Sequence, residues 1–136
     1  FIPLFLSLFL ALPILFVGPY LKLDFTSLII FSASLSFSDY LRAQIFTGFP
    51  WNLWAYSTSW ASEILQILNF IGLHSYNLLV VTLFTLPTIL FFKINIIKKL
   101  IIFIATSLII LALYIFGNYI ITNLPFLFFL LNSESP

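Results

Sequence analysis

Apolar residues run along this chain in four long blocks, each separated from the next by a short polar or turn-forming stretch. The first block, 1–17, stops at Gly18-Pro19, and the second, 25–46, follows Lys22 and Asp24 and runs into Gly48 and Pro50. The third, 63–92, opens at Glu63 and carries Pro87 near its end, where a kink is expected; the fourth, 100–121, follows the lysine-bearing loop KINIIKK. Runs of about 18 or more apolar residues read as membrane-spanning helices. The third block is long enough to cross with tilt or to begin with an interfacial turn. The pattern predicts an all-α integral membrane bundle of about four transmembrane helices, forming one domain over 1–123. In the remaining tail, 124–136, Leu124 to Leu131 is too short to span and reads as interfacial, and Ser133 to Pro136 as a disordered end.

Composition supports the same class. Hydrophobic residues make up 62% of the chain and charged residues 7%, against about 25% charged in a soluble domain. A net charge of +1 gives no nucleic-acid footprint. There is no Cys, so these residues hold no disulfide, no thiolate metal site and no cysteine nucleophile. The sequence starts with Phe1 inside an apolar run, which reads as a fragment with its true start upstream. A signal peptide over 1–17 is disfavoured, because no basic region precedes it and further spans follow.

Within the second block, SASLSFS places Ser at 32, 34, 36 and 38. A lone strand cannot cross lipid with its backbone unpaired. On a helix, Ser32 and Ser36 share one face, and Ser34 and Ser38 another. Small residues four apart let helices approach closely, so this helix is expected at the centre of the bundle, in preference to a hydroxyl-lined path.

Lys22 lies in one loop, and Lys93, Lys98 and Lys99 in another two spans later. Alternating spans put both loops on one side, which the positive-inside rule makes cytoplasmic. The stretch FTGFPWNLWAYS and Asn123 then fall outside, and Trp51, Trp54, Tyr56 and Trp60 fit an interfacial aromatic belt.

Asp39 and Arg42 stand three apart and can pair on one helical face. They read either as an interfacial anchor or as a site in which Arg42 holds an anionic group such as a lipid phosphate. Gly48 and Pro50 then turn the chain. With Phe49 and Trp51 they form either an aromatic turn or a lip for an acyl chain or head group.

The run DYLRAQIFTGFPWNLWAYS resembles a signature of the apolipoprotein N-acyltransferases. Leu41, Arg42, Thr47, Gly48, Phe49, Pro50, Trp51, Asn52 and Tyr56 match; Asp39, Tyr40 and Ala55 stand where that family typically has Glu, Trp and Gly. Downstream, GLHSYNLLVV resembles a Gly-x-Tyr-Gly-x-Ser-Leu-x-Val element at Gly72 and its apolar end, while His74, Ser75 and Asn77 depart. The resemblance implies transfer of an acyl chain from a phospholipid to the N-terminal diacylglyceryl-cysteine of lipoproteins, by ping-pong chemistry through a thioester. It implies a bacterial inner-membrane, multi-pass location, no cofactor, and a nitrilase-like domain carrying the Cys nucleophile. That domain is absent from this chain, so the fragment is expected to be an inactive platform. The lipid-rim candidates are Asp39, Arg42, Thr47, Gly48, Phe49, Pro50, Trp51, Asn52 and Tyr56.

His74, without a second His or carboxylate nearby, is expected in an interhelical hydrogen bond rather than at a metal. Glu63 reads as a helix start favoured by the dipole, and Asn118 and Asn123 as the boundary of the fourth helix. No Gly-rich phosphate loop is present. The alternatives are a small transporter or permease component, suggested by Ser34, Asp39, Arg42, Asn69, His74 and Asn77, or a non-catalytic membrane scaffold.

Overall fold

The computed structural model describes residues 2–45 and 53–123, with side chains from Ser7 onward, and the described residues are helical throughout, with no strand. Helix α1 (Ile2–Val17) carries Pro13 inside it and ends in a 3-10 turn, Gly18–Tyr20, in which Pro19 lacks the N–H that would continue the helix. Helix α2 (Phe25–Ile45) starts from a side-chain cap. The Ser27 N–H donates to Asp24 Oδ1 at 2.7 Å, and the Lys22 N–H to Ser27 Oγ at 2.8 Å. Hydrogen bonds from Ser27 hold the Asp24 carboxyl below its ordinary pKa.

Helix α2 is central, packed between α1 and α5 (Leu73–Thr85). Its serines make the close approaches. Ser38 Oγ donates to the Phe9 carbonyl of α1, while Ser32 Oγ meets Thr85 Oγ1 of α5 at 2.8 Å. Ser34 Oγ donates back to Ile30 O of its own helix. These hydroxyls serve packing and the local backbone, and Ser36 Oγ is buried without a partner among the described residues.

The third block, expected over 63–92 either to cross with tilt or to begin with an interfacial turn, is not one continuous helix. It begins as two four-residue helices, α3 (Ser62–Leu65), with Glu63 in its first turn, and α4 (Leu68–Ile71). Gly72, at φ +75°, then breaks the chain before α5 starts. A side chain at that φ is strained, so Gly is what permits the break. After Thr85 the helix tightens into a 3-10 segment, Leu86–Phe91, that opens with Pro87.

Two helical stretches are long and apolar enough to cross a membrane: the 19 residues Leu73–Phe91 and the 28 residues of α6 (Ile96–Asn123). At 1.5 Å per residue α6 is ~42 Å long, which exceeds a hydrocarbon core of about 30 Å. Asn118 lies inside α6 rather than at its boundary. Gly117 is the buried residue of this helix, and Ile96, Leu100, Leu108 and Ile115 are all more than half exposed. Such a continuous apolar surface belongs against lipid, and the chain is a membrane protein.

Two buried clusters mark the ends of the bundle. Leu53, Ala55, Tyr76 and Val80 pack at one end, and Leu28, Ile89 and Phe92 at the other. At the second end Lys22 and Phe92 line one groove of about 240 Å³, so the loop before α2 meets the loop before α6. Lys99 Nζ donates to Leu90 O at 2.6 Å, satisfying a carbonyl of the 3-10 segment.

Candidate functional site

At the end of the bundle away from the lysine loops, α2 and α5 bring three polar side chains into one buried cluster. Arg42 lies in the last turn of α2, where the helix dipole favours a cation. Its Nη2 is 3.0 Å from Asp39 Oδ1, with the two side chains 8 and 3% exposed. Asn77 on α5 donates from Nδ2 to Asp39 Oδ2 at 3.0 Å. The Ala55 N–H donates to Asn77 Oδ1, also at 3.0 Å.

A buried ion pair loses more hydration than its own attraction restores unless further hydrogen bonds satisfy it. Here both carboxylate oxygens of Asp39 are engaged, one by a cation and one by an amide. The cluster is therefore a fixed polar core in an apolar bundle, with a guanidinium at the end of α2.

A second link reinforces the first. The 3-10 segment Trp54–Thr58 is held on α5 by Thr58 Oγ1 and Tyr76 Oη, 2.6 Å apart, while Thr58 Oγ1 also donates to Ala55 O. Tyr76 is fully buried. Adjacent residues 76 and 77 of α5 thus grip the same short segment twice.

Of the residues singled out from sequence, Asp39 and Arg42 are brought together. Tyr56 sits on the gripped segment, 44% exposed and outside the hydrogen-bonded cluster. Thr47, Gly48, Phe49, Pro50, Trp51 and Asn52 lie outside the described residues. Trp54 and Trp60 are exposed, and Trp54 meets Phe84 of α5 edge-on at 6.4 Å. The interhelical contact of His74 is an edge-on approach of its ring to Tyr40 at 4.9 Å, in place of the hydrogen bond expected. Among the described residues no three His, Cys, Asp or Glu side chains converge as metal ligands.

Sequence reasoning missed Asn77, Thr58 and Tyr76 as parts of the site. Asn77 was legible as a polar group inside an apolar run, which requires a partner.

The family model for the apolipoprotein N-acyltransferase N-terminal domain matches residues 1–86. The apolipoprotein N-acyltransferases of Rhodopseudomonas palustris and Bradyrhizobium diazoefficiens are each 32% identical to this chain over 89 residues, covering 65% of this chain and 17% of the relative. That of Rickettsia bellii is 38% identical over 47 residues, 35% of this chain and 9% of the relative. The match thus spans less than a fifth of the length of these relatives. No solved structure matches the chain. The family match takes in α1, α2, the gripped 3-10 segment, α5 and the whole Asp39–Arg42–Asn77 cluster, and on that extent the chain belongs to the apolipoprotein N-acyltransferase family, through its N-terminal domain.

Proposed function

We propose that this chain is part of the membrane platform of an apolipoprotein N-acyltransferase, which moves an acyl chain from a phospholipid to the N-terminal diacylglyceryl-cysteine of lipoproteins. The observation that carries the reading is the family match over residues 1–86, within which the buried cluster lies. In this reading α1, α2, α5 with its 3-10 extension, and α6 form four spans of the bacterial inner membrane. Lys22, Lys93, Lys98 and Lys99 face the cytoplasm. The Arg42 end faces outward, with α3 and α4 at the outer rim.

The family resemblance implies that the chemistry belongs to a nitrilase-like domain elsewhere in the full-length protein; these 136 residues contain no Cys to supply its nucleophile. A cysteine thiolate there attacks the acyl ester of the phospholipid, forming a thioester and releasing the lysophospholipid. The lipoprotein α-amine then attacks the thioester, forming the amide and returning the thiol. The platform's part is to hold the donor lipid at the right depth. Arg42, at the rim, is the cation placed to meet an anionic head group, while Asp39 fixes the guanidinium plane. Of the six polar residues that suggested a transport path, Asp39, Arg42 and Asn77 bond to one another, which favours the platform over a permease.

The test is acylation of a diacylated lipopeptide by the purified full-length protein in phospholipid micelles. Mass addition of one acyl chain at the cysteine amine is expected. A well-folded full-length protein that leaves the lipopeptide unmodified would sink the reading.

A further inference from the structure

Asn77 is 1% exposed and uses the two ends of its amide on two different parts of the chain. The orientation of the amide is fixed by chemistry. The Ala55 N–H can only donate and so faces Oδ1. The Asp39 carboxylate, already paired with Arg42, accepts and so faces Nδ2. Among side chains of this size, an amide both donates and accepts in this way; Asp lacks the donor, and Leu or Val would leave two buried polar groups unpaired. Packing alone does not call for such a group at the α2–α5 contact.

The geometry points to Asn77 as a positioning residue for acyl transfer. It acts through Arg42, whose guanidinium it orients by way of Asp39, and it sets where the 53–58 segment lies relative to that guanidinium. The role rests on the reading of the chain as an acyltransferase platform. Two features make Asn77 fit it. It is the link between the helix that carries Arg42 and the segment that follows the Gly-Phe-Pro-Trp stretch in sequence. Its neighbour Tyr76 holds the same segment through Thr58, so the return of the chain is fixed at two points along 53–58.

The experiment uses the full-length protein in phospholipid nanodiscs, with Asn77→Ala, Asn77→Asp and the exchange Asp39→Asn with Asn77→Asp. The exchange restores a donor–acceptor pair between the helices while moving the charge across. Lipopeptide acylation is measured against donor concentration. A group acting through Arg42 on the head group raises the donor KM, whereas a merely destabilised protein loses active enzyme and shows a lower kcat at unchanged KM. A rise in donor KM of about tenfold or more is expected for Asn77→Ala and Asn77→Asp, the scale of one hydrogen bond to a charged group. Adding Arg42→Lys should produce little further change, and the exchange should recover part of the loss. Unchanged KM in both variants, or full additivity with Arg42→Lys, would overturn the proposal.

A second readout needs no activity. Spin labels at Gln44 and Ser57, both exposed, report the distance between the end of α2 and the gripped segment. A narrow distribution in the wild type that broadens in Asn77→Ala is expected, and one that stays narrow would overturn the proposal. A full-length protein that transfers no acyl chain, yet keeps an Asn77-dependent distance, would sink the acyltransferase reading and leave the link itself standing.

Discussion

The backbone of Glu63 crosses α6 directly at Gly117: a Cβ added at Gly117 would lie 1.7 Å from the Glu63 carbonyl oxygen and 2.9 Å from its Cα. The obstacle is backbone on both sides, so no rotamer change can relieve it. Helix α3 rests on α6 because position 117 carries no side chain, the same small-residue device that brings α2 against α1.

Gly117→Ala is therefore expected to lift α3 off α6. Overpacking of this kind costs about 1–3 kcal/mol. Thermal unfolding in detergent should shift downward. Proteolysis within 59–72 should accelerate before cleavage elsewhere, since α3 packs on α6 at this crossing. A variant with wild-type melting and unchanged cleavage in that stretch would show that α3 packs on α6 in some other way.

Gly72 makes a complementary case, because nothing lies within 4 Å of a Cβ placed there and the strain comes from φ +75° alone. Gly72→Ala should destabilise by about 1–3 kcal/mol, the scale of a residue held in a sparsely populated region. Gly72→Ala should also favour a continuous α4–α5 helix, seen as increased helical circular dichroism. Lower stability with unchanged helicity would mean that the break persists under strain.

The long apolar runs made α1, α2 and α6 legible, with Gly18-Pro19 and the cap at Asp24 marking boundaries, whereas α6 starts at Ile96 and takes in Lys98 and Lys99 instead of starting at 100. The serines of α2 were legible as contact residues because small side chains at helical spacing have few other uses in lipid. The break at Gly72 was not, since a Gly in an apolar run reveals neither its φ nor whether the residues before it continue the span. The Asp39–Arg42 pair lay within one helical turn and could be read. Asn77 bonds to residues 38 and 22 positions away, and that partnership exists only in the fold.

The proposed topology is tested by cysteine labelling in intact cells. Lys22 and Phe92 share a groove, so the two lysine loops lie at one end, and Trp60, 83% exposed, belongs to the segment that follows the Arg42 end. Trp60→Cys should react with an impermeant maleimide added outside, and Lys98→Cys only after permeabilisation. Labelling of Lys98→Cys in sealed cells would invert the assignment.

Arg42 should matter more to turnover than any lysine in the full-length protein. Lys98 is exposed in the loop end of α6, and Lys99 is engaged with the Leu90 carbonyl, so both serve local structure and orientation. Arg42 is buried against Asp39 at the opposite end, and its planar fork can hold a carboxylate and a phosphate oxygen at once. A lysine ammonium placed there could keep the pairing with Asp39 but not the second, coplanar contact. Arg42→Lys should therefore fold, and should lose a charged hydrogen bond of about 1.5–3 kcal/mol. If that contact acts in the transition state, acyl transfer falls roughly tenfold or more. Arg42→Ala should be worse in a different way, because it leaves Asp39 buried without its cation, a loss of about 3–5 kcal/mol in stability. The measurement is lipopeptide acylation with matched protein levels, alongside melting temperature, with Lys98→Gln as the control expected to retain wild-type turnover. An Arg42→Lys protein as active as wild type would reduce the Asp39–Arg42 pair to an anchor of α2.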